Sequence, residues 1–425
     1  MAQRGIREYD AKKMLAEHLP DYVDDFDYEG QIVLVSPETD LEVVAAKSPW
    51  VKKKRLVVKP DQLFGKRGAH GLILLDAPWD EAKKYIEERM GKETLVGTVV
   101  GPLTHFLIEP FIPHDENEEL YVAIKSDYGG DSIYFSTKGG VDIESNWDKV
   151  TSIPVGILAK PEDLDLESQL PAELGDRLDP VAKFVEGLYQ LFKDMGFSYL
   201  EINPFVFHEG KIIPLDLVAR LDDAEAFWQR DGWRGLEFPE PFGRALTKEE
   251  AYIKELDSRT GASLKLTILN PKGRVWTMVA GGGASVIYAD TICDLGFGSE
   301  LSNYGEYSGD PSTEDTYEYT KTVLDLMTRE KDPEGRTKYL LIGGGIANFT
   351  DVAKTFKGVV TALEDYRERL RETGVEIYVR RGGPNYEEGL RIMRKLGERL
   401  GVPIHVYGPE THMTRIVSMA LGGGE

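Results

Sequence analysis

Residues 55–71 read Arg-Leu-Val-Val-Lys-Pro-Asp-Gln-Leu-Phe-Gly-Lys-Arg-Gly-Ala-His-Gly, an apolar run followed by a lysine and a glycine-rich turn. The β-branched run at 56–58 predicts a buried strand with Lys59 at its end. In the turn at 65–71, glycines let backbone N–H groups approach an anion, and the cations offset its charge. Together these features suit a polyphosphate. The same residues would also fit a basic surface hairpin after an ordinary strand.

The composition is that of an acidic chain of 425 residues, with 51 basic and 73 acidic residues and a net charge of −22. This length exceeds what one hydrophobic core usually holds, so we expect two or three domains. The negative charge argues against nucleic-acid binding. No apolar run is long enough to span a bilayer, the N-terminus lacks the apolar core of a signal peptide, and Cys293 is the single cysteine. We therefore expect a cytoplasmic protein without disulfides and without a membrane partner.

One irregular segment divides the chain. Residues 223–245 are rich in Trp, Gly and Pro without periodicity, which predicts a linker. Asp179, before a proline, is typical of a helix cap in the first half. Thr247-Lys-Glu-Glu250 is a capping box that begins a helix after the linker. We therefore predict one domain over 1–240 and a second over 246–425.

The second domain alternates strands with helices. Each of four predicted strands is followed by a glycine-rich or polar loop and then by a helix. This alternation predicts an α/β fold with a doubly wound parallel sheet. Ligands of such sheets bind at the carboxyl ends of the strands, where these loops lie. The four strands are residues 275–279, 339–342, 376–380 and 404–407.

Two polar residues in the first half are candidates for metal binding. Asn203 follows a predicted strand in Glu-Ile-Asn-Pro, and Asp216 lies inside an apolar run. A carboxylate within a strand is costly unless it is paired or bound to a metal. Neighbouring strands would aim both side chains at one Mg²⁺, which takes its remaining ligands from phosphate and water. The alternative is a salt-bridged Asp216 and an Asn203 that belongs to a turn.

Several of these motifs resemble those of a known family. A lysine at a strand end, a basic glycine loop, a strand ending in Glu-Pro-Phe, and Glu-Ile-Asn-Pro before a strand aspartate resemble an ATP-grasp domain of the succinyl-CoA synthetase β-chain type. Longer stretches along essentially the whole chain resemble the ATP-citrate lyase family. The resemblance implies an ATP-grasp domain followed by a citrate-binding doubly wound domain of flavodoxin-like or Rossmann-like character. The longer stretches are residues 57–63, 106–111, 277–286, 303–309 and 379–386.

The resemblance implies an ATP site in the first domain. Lys59 would contact the α- and β-phosphates, and a flap over the phosphates would be formed by Lys66, Arg67 and Gly68. The adenine would meet the backbone at two positions, and an acid would meet the ribose or the adenine edge. These three positions are Pro110, Ile112 and Glu119.

The resemblance also implies two cation sites. Asn203 and Asp216 would hold Mg²⁺ beside the ATP phosphates. Asp257, with the backbone at Thr260 and Ala262, is similar to a secondary cation site. A helix C-cap explains Asp257 as well.

The second domain then needs a site for a tricarboxylate. Asn348 and Thr350 lie where a glycine-rich loop meets a predicted helix, and a helix N-terminus favours a carboxylate. Arg381 follows a strand and can bind a carboxylate through two hydrogen bonds. Gly309 and Tyr366 match citrate contacts of the family. The alternative is that Asn348 caps its helix and Arg381 pairs with an acid.

The reaction implied by the resemblance requires a second subunit. ATP would phosphorylate a histidine of this partner, and the phosphoryl group would move to citrate to give citryl phosphate. CoA would displace it, and the partner would cleave citryl-CoA to acetyl-CoA and oxaloacetate. The sequence ends at Glu425, before the further segments of the single-chain form. We therefore expect no catalytic residue in this chain itself. Its partner would carry the CoA-binding, phosphohistidine and citryl-CoA lyase domains, in a hetero-octamer.

Two other functions fit the same residues. The large subunit of a citryl-CoA synthetase would have the same role, with cleavage left to a separate enzyme. A non-catalytic scaffold or citrate sensor would retain the fold without the reaction. The presence of Lys59, Arg67, Asn203 and Asp216 argues against this last function.

Overall fold

The computed structural model describes residues 3–24, 26, 28–140, 143–160 and 163–422. The chain divides into two compact units, Met1–Ala245 and Leu246–Glu425. In the described ranges, no helix has both the length and the apolar character needed to cross a membrane.

The first unit combines strands and helices. Its described strands are β1 (Gln3–Ile6), β2 (Val33–Val35), β3 (Leu56–Pro60), β4 (Leu74–Ala77), β5 (Glu93–Val96), β6 (Val99–Pro102), β7 (Phe106–Pro110), β8 (Leu120–Asp127), β9 (Gly130–Ser136), β10 (Thr151–Gly156), β11 (Phe197–His208), β12 (Lys211–Pro214) and β13 (Leu217–Asp222). Its described α-helices are α1 (Glu8–His18), α2 (Leu41–Lys47), α3 (Trp79–Arg89), α4 (Leu166–Gln169) and α5 (Leu178–Asp194).

Two antiparallel sheets organise this unit. The smaller has the strand order β2-β7-β3-β4, and the larger has the order β1-β13-β11-β8-β9-β10, with β12 beside β11. The strands β5 and β6 form a separate hairpin. The apolar faces of α2 and α3 pack on the smaller sheet, and those of α1 and α5 pack on the larger. The strand predicted at 56–58 is β3, which pairs with β7 so that Lys59 lies opposite Leu107.

Helix α1 is held at its first turn by a residue that follows β3. The Asp61 carboxylate accepts hydrogen bonds from the backbone N–H groups of Glu8 (2.9 Å) and Tyr9 (3.0 Å). The first N–H groups of a helix have no partner inside the helix, so this carboxylate acts as a capping group. Burial, together with the neighbouring Glu8 carboxylate, raises the pKa of Asp61 to about 6. The cap therefore ties α1 to the end of β3.

The predicted helix cap at Asp179 is wrong. A 3₁₀ turn over Ala172–Arg177 runs directly into α5, so the helix begins at Leu178 and Asp179 lies inside its first turn. There its negative charge favours the positive end of the helix dipole. The predicted capping box is confirmed, because Thr247 Oγ1 accepts from the Glu250 N–H (3.2 Å) and Glu250 Oε2 accepts from the Thr247 N–H (2.8 Å).

The aromatic segment at 223–245 packs into the first unit. Trp233 and Phe242 are buried. The indole N–H of Trp233 donates to the Met195 carbonyl (2.9 Å), and the Phe242 ring centroid lies 4.7 Å from that of Phe64. Because large aromatic side chains gain free energy when they leave water, this segment adds to two hydrophobic cores instead of forming an open linker.

The second unit contains a further set of helices and strands. Its described strands are β14 (Ser263–Ile268), β15 (Val275–Ala280), β16 (Asn303–Ser308), β17 (Lys338–Gly344), β18 (Val375–Arg380) and β19 (Ile404–Tyr407). Its described α-helices are α6 (Lys248–Arg259), α7 (Gly282–Asp294), α8 (Thr313–Met327), α9 (Val352–Asp365), α10 (Arg367–Thr373), α11 (Tyr386–Leu400) and α12 (Arg415–Leu421).

A parallel sheet of order β15-β17-β18-β19 forms the centre of this unit. Residues along a strand point alternately to its two faces. Trp276 and Met278 pack with α8, α9 and α11, whereas Val275 and Val279 pack with α7 and α12. Helices therefore cover both faces, which confirms the predicted doubly wound α/β fold. The strands β14 and β16 form a separate antiparallel pair.

We expect Asp61→Ala to lower the free energy of unfolding by about 1–3 kcal/mol, because two backbone N–H groups of α1 lose their acceptor in a buried place. Denaturant titration followed by circular dichroism measures this change. Asp231→Ala, at a carboxylate that is 92% exposed, is the control and should stay within about 0.5 kcal/mol of wild type. Equal loss in both variants would contradict the capping role.

Candidate functional site

Lys59 lies in a buried network of charges in the first unit. Its Nζ is 2.7 Å from Glu8 Oε1 and 2.8 Å from Glu109 Oε1, and it donates to the Leu215 carbonyl (2.6 Å). Lys12, one turn after Glu8 on α1, contacts the same three partners at 2.9, 2.5 and 3.0 Å. These four charged side chains are at most 10% exposed. Glu8, Lys12 and Glu109 were not among the residues predicted from the sequence.

Arg67 joins this network from the glycine-rich turn. Its Nη2 is 2.7 Å from Glu8 Oε2 and also pairs with the Asp216 carboxylate, while Nη1 donates to the Pro60 carbonyl (3.0 Å). A predicted magnesium ligand, Asp216, is therefore paired with a predicted phosphate-binding cation. This salt bridge is also the structural role that the sequence left open for Asp216.

Ion pairing keeps Glu8 and Lys12 charged. Burial alone would raise the pKa of Glu8, but Lys12, Lys59 and Arg67 together hold it well below its usual range. Burial alone would lower the pKa of Lys12, but Glu109 and Glu8 together raise it. Both groups are thus ionised at neutral pH, because opposite charges close by offset the loss of hydration.

A cavity of about 270 Å³ adjoins the network. Its wall includes Glu109 and Leu215, both of which contact Lys59. Pro110 and Ile112, the two predicted adenine contacts, line the same cavity. The structure therefore brings these two positions together with Lys59.

The other predicted ATP-site residues lie in two places. Lys66 and Gly68 are exposed in the glycine-rich turn, on either side of the buried Arg67. Glu119 directly precedes β8, and its Oε1 lies 3.2 Å from His114 Nε2. It is not among the residues that line the cavity.

Asn203 and Asp216 are neighbours through the backbone. The Asn203 N–H donates to the Asp216 carbonyl (2.9 Å), and Asn203 Oδ1 accepts from the Gly140 N–H (2.7 Å). Across the described ranges, no group of three or more His, Cys, Asp or Glu side chains could hold a metal. Mg²⁺ at a nucleotide needs only one or two carboxylates and takes its other ligands from phosphate and water. Asp216, about one-third exposed, and Asn203 fit that small donor set.

The predicted secondary cation residues have partners within the protein. Asp257 Oδ1 accepts from the Leu264 N–H (2.7 Å), and Oδ2 pairs with Lys265. Thr260 Oγ1 accepts from the Ala262 N–H (3.2 Å). These contacts account for the conformation of Asp257, and its binding of a cation stays a prediction.

Arg381 is a buried cation at the carboxyl end of β18 in the second unit. Its Nη1 donates to the Gly345 carbonyl (3.1 Å). In the described part of this unit, no carboxylate pairs with it, and burial lowers its pKa. By contrast, all three guanidinium nitrogens of Arg380 donate to backbone carbonyls. A buried guanidinium without a counter-anion is unfavourable, so an anionic ligand would complete this site.

Two tyrosines that were not predicted from the sequence share the surroundings of Arg381. Among the described residues, the buried Tyr288 and Tyr307 hydroxyls and Arg381 Nε lack hydrogen-bond partners. A Cβ atom at Gly343 would lie 2.3 Å from the Tyr288 hydroxyl, and one at Gly344 would lie 2.7 Å from Arg381 Nη1. The glycine loop therefore makes room for these side chains. Burial raises the pKa of Tyr288 to about 12, so its hydroxyl keeps a proton to donate.

The loops that carry the predicted citrate residues meet at this edge of the sheet. The Ala347 N–H donates to the Gly382 carbonyl (3.0 Å), which joins the loop of Asn348 and Thr350 to that of Arg381. Thr350 is buried and Asn348 is exposed.

Residue 351, and not Asn348, caps α9. The Asp351 carboxylate accepts from the Lys354 N–H (2.9 Å), and the Asp351 N–H donates to the carboxylate of Asp310 (3.3 Å). This second bond places Gly309, the neighbour of Asp310, beside the same loop.

Tyr366 lies apart from the other predicted citrate residues. It directly follows α9, whereas Thr350 precedes the helix. At 1.5 Å per residue, the 14 residues of α9 put roughly 20 Å between the two ends. The structure therefore brings together the loops of Gly309, Asn348, Thr350 and Arg381, and citrate binding by Tyr366 stays a prediction.

The first unit, with two sheets and a cavity beside buried cations, defines an ATP-grasp protein that carries a second, parallel-sheet unit. The family model described as the ATP-citrate synthase ATP-grasp domain matches residues 2–233, and the one described as ATP citrate lyase citrate-binding matches residues 244–423. The chain belongs to the ATP-citrate synthase family, also called ATP-citrate lyase, and is an enzyme subunit.

Relatives and solved structures agree with this assignment. The chain is 49% identical to the ATP-citrate synthase alpha chain protein 2 of Oryza sativa, over 99% of this chain and 98% of that one. It is 51% identical to human ATP-citrate synthase, over 91% of this chain and 35% of the human protein. The structure of ATP citrate lyase from Methanothrix soehngenii, in complex with citrate and coenzyme A, matches with a TM-score of 0.92 and 65% identity. That match covers 99% of this chain and 100% of the other.

We expect Arg381→Lys to weaken citrate binding by at least about tenfold, because a planar guanidinium holds a carboxylate through two hydrogen bonds and an ammonium does not. Isothermal titration with citrate measures the change, and ATP affinity should stay as in wild type. Arg391→Lys, at an arginine on the surface of α11 that is 51% exposed, is the matched control. Wild-type citrate affinity in Arg381→Lys would place the citrate site elsewhere.

Proposed function

We propose that this chain binds ATP and citrate and transfers the terminal phosphoryl group of ATP towards citrate, through a histidine of a partner subunit. The single observation that carries the proposal is the buried pair of cations, Lys59 and Arg67, beside a cavity lined by Pro110 and Ile112. Family membership gives this arrangement its interpretation.

In the first unit, the cavity beside Pro110 and Ile112 would take the adenine. Lys59 and Arg67 would bind the phosphates, with Lys66 and Gly68 in the exposed turn above them. Asp216 and Asn203 would hold Mg²⁺, which lowers the negative charge of the phosphates when it is bound. Phosphoryl transfer of this kind depends mainly on positioning and charge neutralisation.

In the second unit, citrate would bind where the two loops meet. Arg381 would pair with one carboxylate, and the hydroxyl of Tyr288 can donate to the same group. Asn348 and Thr350 would contact the rest of the molecule near the start of α9. The match to a structure described as a complex with citrate and coenzyme A supports this ligand.

The full reaction would consume ATP, citrate and CoA and release ADP, phosphate, acetyl-CoA and oxaloacetate. The partner histidine would take the phosphoryl group from ATP and give it to a citrate carboxylate, forming citryl phosphate. The CoA thiol would then displace phosphate, and the partner would cleave the resulting citryl-CoA. A second subunit with CoA-binding, phosphohistidine and lyase domains, in a hetero-octamer, belongs to this proposal.

We expect Lys59→Ala to weaken ATP binding by about tenfold or more, because one charge-assisted contact to phosphate is lost, and to leave citrate binding unchanged. Calorimetric titration with ATP and with citrate measures both. Lys84→Ala, at a lysine that is 75% exposed, is the matched control. An unchanged ATP affinity in Lys59→Ala would remove this lysine from the site.

The purified chain is expected to form no acetyl-CoA from ATP, citrate and CoA, because the histidine and the lyase reaction are assigned to the partner. Release of acetyl-CoA, followed by mass spectrometry, tests this. Co-expression with the partner should restore it. Sustained turnover by the chain alone would contradict the two-subunit assignment.

A further inference from the structure

The ammonium group of Lys59 is closely surrounded by three oxygen atoms of the protein. An ammonium carries three N–H donors. In the structure the ammonium group donates to the Leu215 carbonyl (2.6 Å), and Glu8 Oε1 and Glu109 Oε1 lie at ion-pair distances of 2.7 and 2.8 Å. If Lys59 binds a nucleotide phosphate, one of these three contacts must be given up. The identity of that contact decides what the phosphate competes with.

Glu8 is the carboxylate that links both proposed phosphate-binding cations. Its Oε1 contacts Lys59 and its Oε2 contacts Arg67, each at 2.7 Å. Glu109 contacts Lys59, and Asp216 contacts Arg67, but neither carboxylate has an ion pair with both cations in the described network. One carboxylate thus occupies the place between two cations where a phosphate would bind.

Of the three contacts of Lys59, the one with Glu8 is the least costly to lose. The Leu215 carbonyl is part of the backbone, and it accepts from both lysines. If Lys59 left Glu109, Oε1 would lose its ion pair, because Lys12 contacts the other oxygen, Oε2. If Lys59 left Glu8, Oε1 would still have Lys12 at 2.9 Å. Lys12 therefore keeps Glu8 neutralised after Lys59 turns away.

We propose that Glu8 is a positioning residue that stands in for a nucleotide phosphate. In the nucleotide-free chain it holds Lys59 and Arg67 at the site and satisfies their charge, and a phosphate of the nucleotide replaces it. This inference rests on the proposed ATP site. Glu8 therefore lowers the affinity for every ligand that carries phosphate and leaves the affinity for the nucleoside unaffected.

The test is whether the affinity for ATP rises or falls in Glu8→Gln. This substitution keeps the size of the side chain and removes its charge, so ATP should bind about tenfold more tightly, since one competing charge-assisted contact is gone. Calorimetry with ATP, ADP and adenosine separates the contribution of the phosphates to the binding free energy from that of the nucleoside. The affinity for adenosine should not change. Glu17→Gln, on the exposed side of α1, is the matched control and should equal wild type for all three ligands.

Lys12→Met tests the same mechanism, and here ATP affinity is expected to change in the opposite direction. Without Lys12, the two buried carboxylates depend more strongly on Lys59, so ATP should bind about tenfold more weakly while adenosine binds as before. A purely structural role of the network predicts weaker ATP binding in both variants. Thermal unfolding shows that each variant is folded before titration.

The outcomes separate the two proposals. If wild type binds ATP and folded Glu8→Gln binds it equally or more weakly, the role of Glu8 as a stand-in is wrong and the ATP site remains. If Glu8→Gln does not fold, unchanged ATP affinity in Lys12→Met likewise overturns the role of Glu8. If wild type does not bind ATP, or Lys59→Ala binds it normally, the proposed ATP site itself fails.

Discussion

The contact between Lys59 and Glu8 places an ammonium and a carboxylate 2.7 Å apart at a position nearly closed to water. Taking each ion out of water costs several kcal/mol, and a single ion pair offsets this poorly. The first unit solves the problem by adding Lys12, Arg67 and Glu109, so that Glu8, Glu109, Lys12 and Lys59 each have at least two partners of opposite sign. Because these residues come from α1, β3, the glycine-rich turn and β7, the network also fixes those segments relative to one another.

The buried cation of the second unit lacks the ion pairs that surround Lys59. Arg381 is as closed to water as Lys59, yet it has a single backbone acceptor and no acid in the described part of that unit. The hydroxyls of Tyr288 and Tyr307 add two further donors without acceptors. Burying donors without acceptors costs free energy of folding, and binding of an anion to these donors would offset that cost. Strong donors of this kind suit a carboxylate.

Much of this arrangement could be predicted from the sequence, and the rest could not for definite reasons. Lys59 and Asp216 were visible because a charge within or at the end of an apolar run is unusual, although Asp216 lies between β12 and β13 and not inside a strand. Glu8 and Lys12 were not, because a Glu and a Lys four residues apart on a helix resemble an ordinary surface pair. Only the packing of α1 against the sheet, secured by Asp61, buries them. The parallel sheet of the second unit could be predicted from strand and helix periodicity. The distance between Tyr366 and Thr350 could not, because it depends on where α9 begins and ends.

The two proposed sites therefore imply different energetics for their ligands. A phosphate that binds to Lys59 exchanges one ion pair for another, so the net gain is a small difference between large terms. Under the proposal for Glu8, a single small anion would compete with two ion pairs, whereas ATP would bring several phosphate charges and an adenine for the adjoining cavity. At the proposed citrate site, Arg381 has no competing acid in the described part of the second unit. Under the two proposals, selectivity in the first unit would arise from competition within the protein, and in the second from a buried cation that no acid in the described part of that unit neutralises.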